Sequence, residues 1–462
     1  MSRWSSKYSL RIALAASTQP SQERQEENVS ASSVEKPIGP AKKWIVTFAG
    51  TGINLALGIL YTWSVIRGGI PDSWKWTNAD KALPYSVACL LFALSMVPAG
   101  RLQDKIGPRW VATIGGVLVG LGCIIASLSG SSLAGFVIGF GVLTGIGIGF
   151  GYASATPPAV KWFPPTMTGF VAGLVVAGFG LASVYIAPLA SWLLNVFAVT
   201  TPENVVEKGV SSTMLVFGVA FLIVVTILSQ LLKNPPSGYV PPAAQKKASV
   251  SGVVLGDKRW TEMVFTLQFV ILWVMYFAGA AAGLMFISVA AGLGKKSLGE
   301  LAFIGVAVLA VGNAGGRILA GMVSDRIGRQ WTLLLAFMLQ AVIIGLLYFV
   351  KDGAGWPLMI LIVTFIGANY GANLSLFPAA CKDLFGLKNF GLNYGILFTA
   401  WGAAGMIMSW VNGIITDLTG SGDLSYFIII GMLLAAGALT FLSRFIEKRD
   451  RARVAKTQPA PV

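Results

Sequence analysis

Long apolar runs divided by short polar breaks dominate the chain. A helix needs roughly 20 apolar residues to cross a bilayer, and by that measure the runs predict twelve spans. They lie near residues 44–66, 82–100, 110–129, 134–155, 168–192, 212–232, 262–291, 301–321, 331–350, 357–380, 391–415 and 425–443. The longest break, 233–261, carries Pro235, Pro236, Pro241 and Pro242 and divides six spans from six. The pattern predicts an all-α membrane protein with 12 transmembrane helices in two six-helix halves, 44–232 and 262–444. Polar tails at 1–43 and 445–462 flank them. The first tail has mixed charge and no apolar core of the kind a secretory signal needs, so it reads as a disordered segment.

Composition sharpens the class. Of 462 residues, 55% are hydrophobic and only 11% charged, with a mean hydropathy of +0.73. A soluble domain carries about 25% charged residues, so a soluble enzyme is excluded. The net charge of +15 would fit nucleic acid, but its placement does not. The breaks and tails on one side hold 26 of the 34 Lys and Arg residues and those on the other side hold 7. By the positive-inside rule, both tails and the linker are expected in the cytosol of a multi-pass cell-membrane protein, with the lipid bilayer as partner and no nucleic acid. There is no histidine, and Cys89, Cys123 and Cys381 all fall in or beside apolar runs. Neither a disulfide framework nor a Cys/His metal site is expected, and no cofactor.

The two halves repeat one another. GRLQDKIGPR, Gly100 to Arg109, and GMVSDRIGR, Gly321 to Arg329, share Gly, Asp, Ile and Gly at a constant offset of 221. Pro157 and Lys161 recur as Pro378 and Lys382 at that same offset. Each motif falls between the second and third span of its half. In this reading the glycine allows a tight helix exit, the acid faces a helix N-terminus, and the bases meet helix C-termini or lipid phosphate. Gly100, Asp104, Arg109, Gly321, Asp325, Arg326 and Arg329 then form a cytosolic gate away from substrate; the simpler alternative is a tight basic loop. The pattern resembles the loop motif of the major facilitator superfamily, which implies two halves rocking about a central site.

The thirty-fourth basic residue, Arg317, lies inside span 8. A charge at the bilayer centre costs roughly 2.5–3.5 kcal/mol on the insertion scale and marks a functional candidate. Snorkelling to the nearby interface is the competing explanation. Helical side chains lean toward their own N-terminus, which points Arg317 inward. Its guanidinium is a fork suited to a carboxylate, with Asn313 one turn away on the same face. Tyr61, Tyr85, Tyr152, Tyr185, Tyr276, Tyr370 and Tyr394 recur in the spans; of these Tyr61, Tyr152, Tyr185, Tyr370 and Tyr394 are expected to supply hydroxyls and apolar walls. Glycines crowd spans 4, 5 and 11, where small residues let helix backbones approach.

Four segments narrow the resemblance: GILYTWSV in span 1, the 100–109 motif, PPAVKWFPPTMTGFVAGLVVAGFG across spans 4 and 5, and LFGLKNFGLNYGILFTAWG entering span 11. From about residue 44 to 443 the chain resembles the oxalate/formate antiporter family. The resemblance implies a carrier of small carboxylates in which an arginine of helix 8 and a lysine of helix 11 bind a dicarboxylate. Arg317 matches the arginine; where oxalate carriers show lysine, this chain has Trp401, which looks more like monocarboxylate transporters. One positive charge suits a monoanion, since an unpaired charge in low dielectric is costly. The expectation is a monomeric secondary transporter of lactate, pyruvate or formate, with Arg317 pairing the carboxylate and Trp401 forming a wall. An oxalate/formate-type antiporter and a non-transporting carboxylate sensor are the alternatives. With no Asp, Glu or His inside a predicted span, exchange or facilitated diffusion needs fewer parts than proton symport, for which Glu262 and Glu300 at span edges remain.

Overall fold

The computed structural model describes residues 41–164, 167–236, 239, 257–353, 355–386 and 389–457. The expected disordered tail, apart from its last three residues, and most of the 233–261 linker lie outside them. The described residues from Lys43 onward form one compact unit. Among the described residues, twelve helices long and apolar enough to cross a membrane stand in the predicted order: α1 (Ala41–Gly68), α2 (Asn78–Ile106), α3 (Pro108–Leu128), α4 (Leu133–Lys161), α5 (Thr168–Val196), α6 (Val210–Ser229), α7 (Leu267–Leu298), α8 (Phe303–Ile327), α9 (Arg329–Val350), α10 (Trp356–Phe385), α11 (Phe390–Thr419) and α12 (Asp423–Thr457). A two-residue antiparallel ribbon, β1 (Val199–Thr200) with β2 (Val206–Glu207), joins α5 to α6.

Helix bounds differ from the apolar stretches, and three expectations change as a result. First, Gly100 and Gly321 sit inside α2 and α8 rather than at their exits. The chain turns at Gly107 (φ 87°) and Gly328 (φ 91°), in the left-handed region that glycine enters without steric cost. Second, α1 runs to Gly68 and α11 to Thr419, which brings Arg67 and Asp417 into the end turns of spanning helices. Third, α7 begins at Leu267, and Glu262 belongs to a separate turn, Trp260–Met263. There the Glu262 carboxylate accepts Arg259 N–H at 2.9 Å and Arg259 Nε–H at 3.0 Å. The Arg259 backbone bond is the largest of the effects that hold its pKa below the usual carboxylate value, so it stays ionised outside the spans as a helix cap. The Glu300 side chain lies outside the described residues.

Backbone contact sets the positions of the helices that matter below. A Cβ at Gly316 would overlap the Ala368 carbonyl, and one at Gly371 would overlap the Asn313 carbonyl. Only glycine lets α8 and α10 lie this close, and Asn313 and Arg317 are carried on the α8 segment so fixed. Helix α11 lies along α2, with Gly402 against Ala93, Gly405 against Cys89 and Gly413 against Ala79. Contacts of α2 with α11, and of α5 with α8, join the first six helices to the last six. Helix α1 tightens into a 3-10 turn over Gly58–Thr62, an irregularity that often marks a hinge. Tyr61 stands on it.

Candidate functional site

Arg317 projects from α8 to the seam between the halves. Its Nε–H donates to Asn313 Oδ1 at 3.0 Å, the one-turn spacing expected from the sequence. Across the seam it faces Gly180 of α5, where a Cβ would stand 3.7 Å from Nη2. Among the described residues no carboxylate lies within 4 Å of Arg317. The guanidinium is within electrostatic reach of the hydroxyls of Tyr61, Tyr152, Tyr370 and Tyr394. Four of the five tyrosines singled out in the sequence therefore converge on the one cation.

A hydrogen-bonded chain closes one side. Trp401 Nε1–H donates to the Tyr370 hydroxyl at 2.8 Å, and that hydroxyl meets the Tyr61 hydroxyl at 2.7 Å. Trp401 and Tyr370 are each 1% exposed, so the chain is a dry link from α11 through α10 to α1. Because Tyr370 already accepts from tryptophan, it can donate to Tyr61 and leave the Tyr61 O–H free to donate onward. Asn313 Nδ2 is buried and unpartnered, a further donor beside the guanidinium.

Aromatic rings make the walls. Trp401 stacks on Phe398 (centroids 4.9 Å) and meets Phe92 edge-on (5.2 Å). Phe92 also meets Tyr152 (5.3 Å) and Phe179 (5.6 Å), and Phe179 meets Tyr61 (5.0 Å). Tyr276 shares its hydroxyl with Tyr394 at 3.4 Å and stacks on Phe377. Phe92, Phe179 and Phe398 were not singled out in the sequence, and Gly180 stood there only as one of the packing glycines of span 5. With 26 phenylalanines and 55 glycines, nothing local distinguishes them.

Tyr185 departs from expectation. Its side chain is 42% exposed and its hydroxyl donates to the Leu55 carbonyl at 3.0 Å. It ties α5 to α1 outside the aromatic cluster, because it sits on the opposite face of α5 from Phe179 and Gly180. Tyr85, also inside the bundle, donates to the Leu284 carbonyl at 3.2 Å.

The loop motifs make their own contacts, although Gly321 stands only one turn beyond Arg317 on α8. Arg329 pairs with Asp325 at 2.7 Å and with Asp383 of α10 at 3.2 Å, and it also bonds Ser324 Oγ. Arg109 bonds Gln230 beyond the end of α6. Asp104 and Arg326 are exposed. Each of these bonds stays within its own half. Among the described residues, the hydrogen bonds between halves lie instead at Tyr61–Tyr370, at Tyr85–Leu284 and at the far end, between Asp417 and the start of α2. The sequence reading passed over Asp383 and Asp417.

Twelve spanning helices in two repeated halves, with one cation held at the seam, define a membrane carrier built on pseudo-symmetric repeats. The chain matches the Major Facilitator Superfamily over residues 44–319 and 280–462 and belongs to that family. It is 28% identical to the uncharacterized MFS-type transporter YhjX of Escherichia coli, over 78% of this chain and 85% of that one. It is 28% identical to the oxalate:formate antiporter of Oxalobacter formigenes (74% and 77%) and 25% identical to apicoplast pyruvate carrier 1 of Toxoplasma gondii (89% and 91%). Among solved structures, a bacterial homolog of the human lysosomal transporter Spinster superposes with a TM-score of 0.69 over 92% of this chain and 100% of that one, at 16% identity; this likeness is one of fold.

Proposed function

We propose that the chain carries small monocarboxylates such as lactate, pyruvate or formate across the cell membrane by alternating access. Each chain holds both halves and works as a monomer, with both termini in the cytosol. The observation that carries this reading is Arg317: a cation at the seam, anchored through Nε, without a carboxylate partner among the described residues. Its Nη donors stand beside the Tyr152 hydroxyl and are suited to an anion, and a charge-assisted fork is the arrangement that binds carboxylate best. Tyr61 O–H and Asn313 Nδ2 are suited to the remaining oxygen lone pairs. Phe92, Phe179, Phe398 and Trp401 suit a short apolar tail and offer nothing to a second charge. The pyruvate carrier among the relatives supports the class of substrate. Since α11 carries Trp401 where the resemblance expects lysine, a monoanion balances the site and a dianion does not.

The gate motif enters this reading as the element that rearranges when the loop end closes. Exchange of oxalate for formate is the second reading, favoured by the similarity to the oxalate:formate antiporter. Uptake of labelled formate, lactate and oxalate into proteoliposomes tests both. Arg317→Ala should abolish carboxylate uptake while the protein still elutes as a folded species. Arg317→Lys should recover little, because an ammonium lacks both the fork and the Nε–H that Asn313 holds. Normal uptake by the alanine variant would sink the proposal. Saturable uptake of oxalate in preference to formate, stimulated by internal formate, would favour the second reading.

A further inference from the structure

Helix α2 begins with a complete set of capped N–H groups, and half of the caps come from the other half of the protein. Thr77 is the N-cap: its Oγ1 accepts Asp80 N–H at 3.1 Å, and Asp80 returns a bond to Thr77 N–H at 3.0 Å. That leaves the N–H groups of Asn78 and Ala79. Both are taken by one side chain, Asp417 near the end of α11, at 2.8 Å and 2.9 Å. Asn78 Nδ2 adds a third bond to Asp417 at 3.0 Å.

Asn78 also faces the other way. Its backbone carbonyl and Oδ1 accept from Arg67 Nη2 at 3.4 Å and 3.3 Å. Arg67 Nη1 is buried without a hydrogen-bond partner, and Asp417 is the counter-charge that acts on this guanidinium. Arg67, Asn78 and Asp417 thus form a relay from α1 through the α2 N-terminus to α11. One turn before Asp417, Gly413 lets α11 ride on α2; a Cβ there would meet Ala79 Cα and the Asn78 carbonyl, both at 2.7 Å.

We propose that the Arg67–Asn78–Asp417 relay is a latch that holds the end opposite the two basic loops closed, and so sets which state the carrier rests in. Opening that end must separate α11 from α2. It then strips Asn78 and Ala79 of their acceptor, removes a carboxylate from a helix N-terminus where the dipole favours it, and leaves Arg67 without its counter-charge. None of these losses occurs when the loop end opens. The term therefore acts on one state only, which is the condition for shifting a two-state equilibrium.

This inference rests on alternating access in the reading above and not on the substrate. Cys89 of α2 supplies a readout independent of transport, since it is fully buried against Gly405 of α11. In full-length protein in liposomes, with Cys123 and Cys381 replaced by alanine, the rate of Cys89 labelling by a membrane-impermeant maleimide reports opening of this seam. Asp417→Asn, which keeps the size and loses the charge, should raise that rate about three- to tenfold. Gly413→Ala should raise it by wedging the same contact. Adding Asn78→Ala to Asp417→Asn should then add little, as expected of residues in one network. A control protein that keeps Cys381 alone should label at an unchanged rate. Unchanged Cys89 labelling in both Asp417→Asn and Asp417→Ala would overturn the latch, as would an equal rise at Cys381, which signals general loosening. Loss of uptake in Arg317→Ala with normal labelling bears on the substrate reading alone.

Discussion

Replacing Trp401 with lysine tests whether the site is built for a single charge. The indole is 1% exposed, stacked on Phe398, edge-on to Phe92, and bonded through Nε1 to the Tyr370 hydroxyl at 2.8 Å. Trp401→Lys removes those contacts and sets an ammonium among rings, near a guanidinium of the same sign. Loss of a buried tryptophan alone costs about 3–5 kcal/mol when truncated to alanine; the lysine stem recovers part of this. A monocarboxylate pairs with Arg317 and leaves the new charge unpaired, which is unfavourable in a dry site. Oxalate pairs with both. A hydrogen bond to a charged group is worth about 1.5–3 kcal/mol, so oxalate should gain about 10- to 150-fold over formate. The assay is competition by oxalate against labelled formate in proteoliposomes of wild type, Trp401→Lys and Trp401→Phe, with thermal unfolding in detergent recorded for each. The phenylalanine variant keeps an aromatic wall and should keep the monocarboxylate preference. A folded lysine variant whose oxalate-to-formate ratio matches wild type would refute the reasoning and place Trp401 outside the site.

Three other outcomes follow from the packing and the charges. Gly316→Val should lower the unfolding temperature sharply and reduce uptake, since any side chain there collides with the Ala368 carbonyl; Gly180→Ala, whose Cβ stands at ordinary contact distance from the Arg317 guanidinium, should raise the KM for formate with little change in unfolding temperature. Lys351 is hydrogen-bonded to Asp423 at 2.7 Å, the largest cause of its raised pKa. A raised pKa contributes stability that is fully present below the unfolded lysine value of about 10.4 and is lost only as pH rises through the folded value. Lys351→Met should therefore cost at most about 1 kcal/mol for this partly exposed pair, and the difference from wild type should stay flat between pH 6 and 9 in unfolding measurements.

Span number, the division into halves and the repeat were all legible in one dimension. A bilayer satisfies no backbone polar group, so a long apolar crossing must satisfy its own as a helix of about 20 residues, and duplication leaves its constant offset in the chain. Arg317 was legible too, because one charge in an apolar run is conspicuous, and Asn313 followed from the helical period. The tyrosines divided four to one. Nothing in the sequence separates Tyr185 from Tyr61 or Tyr152, because which face of a helix meets the seam depends on how helices rotate against one another. The same holds for Phe92, Phe179, Phe398 and Gly180, and for the Trp401–Tyr370–Tyr61 chain, whose members are joined across 309 positions of sequence.

Helix ends were misread for a related reason. Hydropathy marks where the bilayer ends, whereas a helix continues until its last carbonyls find other partners or a glycine turns the chain. Gly107 and Gly328 do so seven residues beyond the glycines that open the motifs. That extra length carried Arg67 and Asp417 into the spans, and only tertiary structure could show one capping a helix that begins 339 residues away from it and the other lying behind that cap. The sequence by itself determined how many times the chain crosses the membrane and that one of its charges is confined there, because both follow from the cost of polar groups in lipid. Which residues surround that charge, and which end of the carrier is held shut, were decided by contacts between helices distant in sequence.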